Sequence, residues 1–325
     1  MEKQKINISE LTLDEKIGQL IIINGIKFNN KLAKLNISGV FISNNRLKIK
    51  SKKELINTIK KWNKSLKIKP SISGDVEGYW NPLKKFYKGK TFGEIKNENE
   101  AFELGKEHGK VLKDLGFTIN FSPICELENK VWPGRNFKGS VEEVKNKITN
   151  YIKGIQDEKI QATAKHYPGG SLVKDPHKIS YKIKISKEDL SLFDSAIKAD
   201  VEAIMVGHPI VYGAIDSENK PSTISKKVIS NLRKDFKGII ITDAISMKGL
   251  SSKYKYRLHK TYPDLIKAGN DIVLDSIAPK KGYHRRIRKG IEEIKSAVIK
   301  GEISKNQINE SVKRILKLKG YLVEN

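Results

Sequence analysis

Short apolar runs recur along the whole chain and alternate with longer segments whose apolar residues have helical spacing. Strands that alternate with helices pair in parallel, and eight such units are typical of a closed barrel rather than an open sheet. We therefore predict an α/β fold, a (β/α)8 TIM-type barrel that forms a single domain over residues 1–325 and ends in C-terminal helices. The eight predicted strands are Leu20–Ile23, Gly39–Ile42, Ser71–Ser73, Thr118–Phe121, Gln161–Ala164, Ala203–Val206, Ile239–Ile241 and Ile272–Leu274.

Two of the intervening helices carry a capping-box signal in their first turn. Ser51 with Glu54, and Ser140 with Glu143, have the spacing at which each side chain accepts a hydrogen bond from the backbone N–H of the other residue. Apolar residues then follow at intervals of three and four. Further helices are predicted at Glu98–Leu115, which Gly116 closes, and at Ser186–Ala199, Ser225–Phe236, Arg285–Ile299 and Ser304–Leu318.

Nearly every predicted strand ends in a polar residue. In a barrel the carboxyl ends of all strands meet at one rim, and that rim is where such folds place catalysis. A single polar residue at such a position serves more often to cap a strand than to catalyse a reaction, but a whole set of them favours an active site. The set consists of Asn24, Ser43, Asp75, Asn120 with Ser122, Lys165 with His166, His208, Asp243 and Asp275.

The formal net charge of +26 raises the question of nucleic-acid binding. Only eight of the 63 basic residues are arginine, whereas bidentate contacts to phosphates and bases favour arginine. The lysines are also spread along the whole chain, without a basic tail. We predict a solvated basic surface and no nucleic-acid partner, and we assign the densest basic cluster, Lys280-Lys281 with Arg285–Lys289, to a solvated helix face.

The apolar runs also bear on location. None approaches the roughly 20 residues that a membrane-spanning helix needs, and the first residues lack the apolar stretch of a secretory signal. We expect no membrane span, a cytoplasmic location and a monomer. The single cysteine, Cys125, excludes an intrachain disulfide and a cysteine-based metal site, and we expect it to be a buried core thiol.

The densest group of chemically active residues lies between positions 165 and 177. Lys165 and His166 directly follow the apolar run of a predicted strand, and Asp175 and His177 follow within a short distance. Pro168-Gly169-Gly170 breaks the chain between the two pairs. This pattern predicts polar groups at a strand end and on the loop that follows it, where active sites are commonly built.

Several motifs keep a fixed order along the chain. The strongest are Lys165-His166-Tyr167-Pro168-Gly169 with Asp175-Pro176-His177, and Ile240–Met247 around Asp243. Weaker ones are Leu13–Leu20, Asp75-Val76-Glu77-Gly78, Ile119–Pro123, Arg135-Asn136-Phe137, Met205–His208 and Ala268–Asp271. In this order they resemble glycoside hydrolase family 3, in particular its bacterial β-N-acetylhexosaminidase branch, and the resemblance extends along most of the chain.

The resemblance implies a retaining exo-glycosidase that removes terminal N-acetylglucosamine from cell-wall fragments or chito-oligosaccharides. Asp243 would attack the anomeric carbon and form a covalent glycosyl-enzyme, which water then hydrolyses. His177, on a loop, would donate the proton to the leaving oxygen with the help of Asp175. An imidazole beside a carboxylate suits this role because the carboxylate stabilises the protonated, donating form.

The resemblance also implies a set of residues that hold the sugar. Asp75, Arg135, Lys165 and His166 match positions that bind sugar hydroxyls in the family, and charged donors make strong hydrogen bonds of this kind. His208 is expected either to line the pocket or to serve the structure. Asp271 is expected to orient a loop rather than to catalyse, and we expect no metal and no cofactor.

The chain departs from the family pattern at three places. Pro168-Gly169-Gly170-Ser171-Leu172 stands where the family often has Pro-Gly-His-Gly-Asp, and the interval to Asp175 is one residue short. Pro176 replaces the usual serine and would stiffen the turn that carries His177. Tyr79 and Trp80 follow the Asp-x-Glu-Gly motif and offer an aromatic platform. These departures concern the substrate more than the reaction.

Three alternatives remain open on the sequence alone. The first is a related β-glycosidase such as a β-glucosidase. The second is a metal-dependent barrel hydrolase that uses His166, His177 and His208, although these have no recognised metal-ligand spacing. The third is a carbohydrate-binding barrel without activity, which the presence of both Asp243 and His177 disfavours.

Overall fold

The computed structural model describes residues 4–42, 49–172, 175, 177–277 and 282–324. Within this part of the chain all eight predicted strands are confirmed, and they lie in one parallel sheet. We number these barrel strands β1 (Ile21–Asn24), β2 (Gly39–Ile42), β3 (Ser71–Gly74), β4 (Ile119–Asn120), β5 (Gln161–Tyr167), β6 (Ala203–Val206), β7 (Ile239–Thr242) and β8 (Val273–Asp275).

Strands that follow one another in the sequence also lie side by side in the sheet, from β1 to β7, and β8 pairs with β1. The remaining seam, between β7 and β8, is joined by a parallel bridge between Ile241 and Ile272. Thr242 N also donates to Ile272 O at 2.9 Å across this seam. The sheet therefore closes, and the predicted (β/α)8 fold is confirmed.

Helices surround the barrel and follow the last strand. They bury their apolar faces against the sheet, as their three- and four-residue spacing predicts. The helices are α1 (Leu13–Gly18), α2 (Asn30–Ala33), α3 (Lys52–Ser65), α4 (Glu98–Leu115), α5 (Val141–Asp157), α6 (Lys187–Lys198), α7 (Lys226–Asp235), α8 (Lys248–Ser251), α9 (Thr261–Ala268), α10 (Tyr283–Ile299) and α11 (Lys305–Leu318). Short 3₁₀ helices lie at Ile8–Glu10, Gly25–Lys27, Phe92–Glu94, Ser222–Ile224, Ser252–Tyr254 and Leu258–Lys260.

The capping signals behave differently in the two helices that carry them. At α5 the box is complete, because Ser140 and Glu143 each accept from the backbone N–H of the other. At α3 it is half formed. Ser51 accepts from Glu54 N, but the Glu54 carboxylate accepts from Lys50 N at 2.7 Å instead of from Ser51 N.

The fifth strand is longer than predicted. It continues through Tyr167 because Lys165 pairs with Met205 and Tyr167 with Val206 on β6. The register shifts between these two pairs, which marks an irregularity of the bulge type. Lys165 and His166 therefore lie within the strand rather than after it.

Two short parallel strand pairs outside the barrel were not predicted. Lys5–Asn7 pairs with Leu322–Glu324, and Lys182–Ile185 pairs with Ile210–Gly213. Each strand has only three or four residues, too few for a clear apolar alternation. The second pair joins the segment after β5 to the segment after β6, and both of these segments carry predicted site residues.

The predicted solvated face at the start of α10 needs one correction. Arg285, Arg288 and Lys289 are exposed, but Arg286 turns inward and places Nη2 2.5 Å from the buried Asp275 carboxylate. An arginine with a buried carboxylate in reach leaves the solvent because the ion pair keeps that carboxylate from being unpaired. Ser43, Lys280 and Lys281 lie outside the described residues.

Two further expectations concern burial. Cys125 is fully buried, so the predicted core thiol is confirmed. In the part of the chain that the structure describes, no helix combines the length and the apolar character that crossing a bilayer requires.

Candidate active site

A cavity of about 870 Å³ opens at the carboxyl ends of the barrel strands. Aromatic and apolar side chains form much of its wall, and a small number of polar groups project into it, which is typical of a ligand site. All eight residues that the sequence assigned to the site line this cavity, namely Asp75, Arg135, Lys165, His166, Asp175, His177, His208 and Asp243.

Asp243 follows β7 directly, and its amide donates to Val206 O on β6 at 2.8 Å. Its Oδ1 accepts from Ala244 N at 2.6 Å, and its Oδ2 lies 3.8 Å from His166 Nε2. Burial acts to raise the pKa of Asp243, but the facing His166 imidazole and the Ala244 amide outweigh it, so the pKa lies below its usual value. Asp243 is therefore held ionised, the state that a nucleophile requires.

Four charged side chains beside the cavity form a continuous chain of ion pairs, from Asp75 through Lys165 and Glu77 to Arg135. Lys165 Nζ lies 2.7 Å from Asp75 Oδ1 and 2.5 Å from Glu77 Oε1. Arg135 donates to both Glu77 oxygens, at 2.7 and 3.0 Å. Asn120, at the end of β4, anchors the segment that carries both acids. Its Oδ1 accepts from Val76 N and its Nδ2 donates to Val76 O, each at 2.9 Å.

The network is nearly dry, with side-chain exposures of 2% for Lys165 and 0% for Glu77. Burial acts to raise the pKa of Glu77, but Arg135 and Lys165 outweigh it and lower that pKa. Burial acts to lower the pKa of Lys165, but Asp75 and Glu77 outweigh it and raise that pKa. Lys165 is thus a fixed cation, and Asp75, whose side chain is 32% exposed, is the network's carboxylate that faces the cavity.

Replacement of Glu77 by glutamine should lower the free energy of unfolding by about 3–5 kcal/mol, because it leaves two buried cations with one carboxylate. Urea unfolding at pH 7 measures this. The matched control is Glu142→Gln, which removes a carboxylate that is 70% exposed and 2.7 Å from Lys145, and should change stability little.

The pH dependence of this variant gives a second check. A carboxylate whose pKa is depressed on folding contributes stability above its unfolded pKa, roughly 4.3, and that stability is lost as the pH falls through the lower folded pKa. The difference between wild type and Glu77→Gln should therefore narrow only in acid. Equal losses of unfolding free energy for Glu77→Gln and Glu142→Gln at pH 7 would contradict the stabilising role assigned to the buried Glu77 carboxylate.

His166 lies between two carboxylates. Its Nδ1–H donates to Glu126 Oε1 at 2.9 Å, which leaves Nε2 facing Asp243. Glu126 is itself held by Asn129, whose Nδ2 donates to Oε2 at 3.1 Å. The bulge in β5 lets both Lys165 and His166 reach the cavity, although successive residues of a regular strand point to opposite faces.

Asp175 and His177 form a pair at the mouth of the cavity. Asp175 Oδ1 accepts from the backbone N–H of His177 at 2.9 Å and from its Nδ1–H at 3.0 Å. Burial acts to raise the pKa of Asp175, but these two bonds outweigh it and lower that pKa. The His177 side chain is 59% exposed, and its Nε2 is the ring nitrogen that Asp175 does not bond. Pro176 lies outside the described residues.

The loop that leads from Lys165 and His166 to Asp175 and His177 bends at glycines. Gly170 has φ +95°, in the region that favours glycine, and a Cβ there would lie 3.0 Å from the side chains of Ile183 and Ile185. A larger residue at this position would thus be strained and would push the small strand pair away from β5. The segment next runs along Asn129, to which Leu172 is bridged.

Comparison with known proteins places this geometry in a family. The family model for the glycosyl hydrolase family 3 N-terminal domain matches residues 12–318. The chain belongs to glycosyl hydrolase family 3. The predicted family is therefore confirmed.

Individual members of family 3 show the same likeness. The chain is 25% identical over 235 residues to a β-N-acetylglucosaminidase/β-glucosidase of Cellulomonas fimi, covering 66% of this chain and 40% of that protein. It is 30% identical over 161 residues to a β-hexosaminidase of Haemophilus influenzae, covering 46% of this chain and 45% of that one. The solved structure of a family 3 β-N-acetylglucosaminidase from Paenibacillus sp. str. FPU-7 matches with a TM-score of 0.83 at 26% identity, over 95% of this chain and 62% of that one. The chain thus spans less than two thirds of the length of these relatives.

His208 occupies a wall of this family 3 cavity but has both ring nitrogens engaged by protein groups. Nε2–H donates to Ala244 O at 3.0 Å, and Nδ1 accepts from the Thr223 hydroxyl at 2.8 Å. Burial lowers the pKa of His208 more than Asp243 raises it, so the ring is neutral. Its bonds hold the residue that follows Asp243, whereas a role in substrate binding stays a prediction.

Asp271 lies just before β8, at the opposite end of the barrel from Asp243. It accepts from Arg233 at 2.6 Å, from Arg314 at 2.9 Å and from Ser311 at 2.7 Å. These partners join α7 and α11 to the strand. The position and the partners of Asp271 indicate that its carboxylate has a structural role rather than a catalytic one.

Aromatic residues line the outer side of the cavity. Trp80 and Trp132 both lie in its wall, with ring centroids 6.1 Å apart and planes at 75°. Tyr79 packs on Trp80 but is not part of the wall. Of the predicted aromatic platform, Trp80 alone faces the cavity.

The histidines of the metal hypothesis have other partners. Among the described residues, no group of three or more His, Cys, Asp or Glu side chains is arranged to hold a metal ion. His166 bonds Glu126, His177 bonds Asp175, and His208 bonds Thr223 and Ala244. This geometry does not favour a metal-dependent hydrolase.

Sequence reasoning missed three residues of the site. Glu77 belongs to the Asp75–Gly78 motif, but its partners, Arg135 and Lys165, are distant in the sequence and adjacent only in space. Glu126 lies six residues after the end of β4, beyond the positions read as strand exits. Trp132 gave no signal by itself, because its place depends on the fold of the segment before Arg135.

Proposed function

We propose that the protein is a retaining exo-β-N-acetylglucosaminidase that removes terminal β-linked N-acetylglucosamine from chito-oligosaccharides or cell-wall fragments. The observation that carries the proposal is one cavity lined by an ionised aspartate, a carboxylate–histidine pair and a buried cluster of charged donors and acceptors. The names of the Haemophilus influenzae and Paenibacillus relatives support the choice of sugar.

In the first step an oxygen of Asp243 forms a bond to the anomeric carbon while the glycosidic carbon–oxygen bond breaks. The departing oxygen takes the proton from Nε2 of His177, whose other nitrogen is held by Asp175. In the second step water gives its proton to the neutral His177 and replaces Asp243 on the sugar. Two inversions leave the β configuration unchanged.

The charge network selects and positions the sugar in this mechanism. Asp75 accepts hydrogen bonds from hydroxyls, and Lys165 and Arg135 donate them. Because Glu77 fixes both cations, these groups need no rearrangement when the sugar binds. His166, held by Glu126, lines the cavity beside Asp243, with its Nε2 3.8 Å from the Asp243 carboxylate.

A β-glucosidase is the second candidate, because the name of the Cellulomonas fimi relative includes both activities. Localisation in the cytoplasm, a part in peptidoglycan recycling and a monomeric state remain predictions from the sequence.

A panel of 4-nitrophenyl β-glycosides of N-acetylglucosamine, glucose and xylose decides between the candidates. We expect kcat/KM to be highest for the N-acetylglucosaminide by tenfold or more, since a shaped pocket discriminates on the order of 10–200-fold between related groups. NMR should show the β-anomer as the first product, and EDTA should leave the rate unchanged. A preference for the glucoside would make the protein a β-glucosidase instead. An α-anomer as first product would refute the retaining mechanism. Cleavage of none of the three glycosides would refute the proposed glycosidase activity.

A further inference from the structure

We propose that Trp80 and Trp132 form the subsite for the leaving part of the substrate, and that it takes an uncharged β-linked hexopyranose ring. The inference rests on the proposed function, because a leaving sugar exists only if the protein is a glycosidase. Trp80 lies in the segment after β3, and Trp132 lies in the segment after β4, so the fold brings them together.

The position of Trp132 relative to His177 identifies the subsite. The two ring centroids are 5.8 Å apart with planes at 77°, so the edge of one ring meets the face of the other. In the proposed mechanism His177 protonates the oxygen that joins the two sugars. A ring in contact with His177 therefore lies beside the sugar that leaves.

Trp132 is held firmly enough to serve as a binding surface. Its backbone N–H donates to Asn129 Oδ1 at 2.8 Å, and the same asparagine bonds Glu126. The Arg135 guanidinium lies over its ring at 5.1 Å from the centroid. Arg135, a residue of the charge network, thus covers one face of the indole. Trp132 therefore links that network to the pair of Asp175 and His177.

Trp80 supplies the open surface next to Trp132. The residue is 36% exposed, although burying a large apolar side chain is usually favourable. The Trp80 carbonyl accepts from Glu77 N at 2.8 Å, so the turn that presents the indole also carries the buried acid. A pyranose ring has an apolar C–H face that covers an indole well, whereas the indole offers a single N–H as its only polar group.

The occupant is specified by what the wall provides. Two tryptophans give area without charge, and Arg135 and Asp175, which line the cavity near them, are already paired with Glu77 and with His177. An uncharged sugar ring matches this surface better than a carboxylated or phosphorylated group, which would need a free cation. N-Acetylglucosamine in chitobiose is such a ring.

The test compares two substrates that share the sugar to be cleaved off. Chitobiose has a pyranose leaving group, whereas methyl β-N-acetylglucosaminide has a methyl group that is too small to reach the tryptophans. We expect Trp80→Ala to lower the ratio of kcat/KM for chitobiose to that for the methyl glycoside by roughly tenfold. Trp80→Phe should keep most of the ratio because it retains an aromatic face.

Tyr256→Ala is the control. Tyr256 is an aromatic residue that is 60% exposed and does not line the cavity, so its loss should leave the ratio unchanged. Trp132→Ala should also lower the ratio, and calorimetric titration of the Asp243→Asn protein with chitobiose, with and without Trp80→Ala, reads binding without turnover.

The outcomes separate the two proposals. A wild-type protein that cleaves neither substrate would refute the proposed function. A wild-type protein that cleaves both, with a ratio that Trp80→Ala and Trp132→Ala leave unchanged, would refute the subsite alone. Equal losses on both substrates would assign the tryptophans to the first sugar or to structure, and would also overturn the inference.

Discussion

Replacement of Asp243 by asparagine should lower turnover on the order of 10⁴-fold or more while the protein stays folded. Asparagine has nearly the same shape and can still accept from Ala244 N, which lies 2.6 Å from Oδ1 in the wild type. The neutral amide, however, cannot form a glycosyl ester. Turnover of the preferred 4-nitrophenyl glycoside measures the loss, and thermal unfolding checks the fold.

Two companion experiments make this result specific for a nucleophile. Asp243→Gly should regain activity in azide and release an α-glycosyl azide, because the small anion takes the vacated position and inverts the centre once. A 5-fluoro glycosyl fluoride should form a covalent glycosyl-enzyme that hydrolyses slowly. The peptide that contains Asp243 should then carry one added sugar. Substantial activity of Asp243→Asn on chitobiose, or a label on another residue, would refute the assignment.

Replacement of His177 by alanine should have an effect that depends on the leaving group. With chitobiose we expect kcat/KM to fall by about 10²–10⁴-fold, because an alkoxide leaves poorly without a general acid. With a 2,4-dinitrophenyl glycoside the loss in kcat/KM should be much smaller, since that leaving group departs without a proton. The slope of log(kcat/KM) against the leaving-group pKa, over a series of aryl glycosides, measures the difference.

Neighbouring residues provide the controls for the acid. Lys178→Ala changes the next residue of the loop, whose amine is 3.7 Å from Asp175 and whose side chain is 81% exposed, and should leave the slope as in the wild type. Asp175→Asn keeps the size of the partner of His177 but removes its charge, and should give an intermediate slope. A His177→Ala protein with the wild-type slope would show that another group donates the proton.

The fold was predictable because each barrel strand is an apolar run set between helices. Runs such as Ile239–Ile241 and Ala203–Val206 are buried on both sides, so their composition alone marks them. The small pair of Lys182–Ile185 and Ile210–Gly213 could not be found in this way. Its residues are partly exposed, and its pairing joins two segments that follow different barrel strands and are separate in the sequence.

The site was predictable where a motif joins chemistry to a strand end. Lys165, His166 and Asp243 directly follow apolar runs, and the structure places all of them in one cavity. Glu126 and Trp132 lie in irregular segments, where no periodicity relates a residue's number to the direction of its side chain. The inward turn of Arg286 was missed for a related reason, because the partner that attracts it, Asp275, is adjacent only in space.

The cavity reverses the sign of the protein's charge. The described lining carries four carboxylates, on Asp75, Glu126, Asp175 and Asp243, and two permanent cations, on Arg135 and Lys165, whereas the chain as a whole has 63 basic and 37 acidic residues. Anionic polymers should therefore adsorb to the outside of the molecule through long-range attraction, which physiological salt screens beyond about 8 Å. Contacts such as the 2.7 Å pair of Lys165 with Asp75 persist in that salt. Raising the ionic strength should thus weaken adsorption of the protein to anionic polymers and leave its affinity for a neutral sugar almost unchanged.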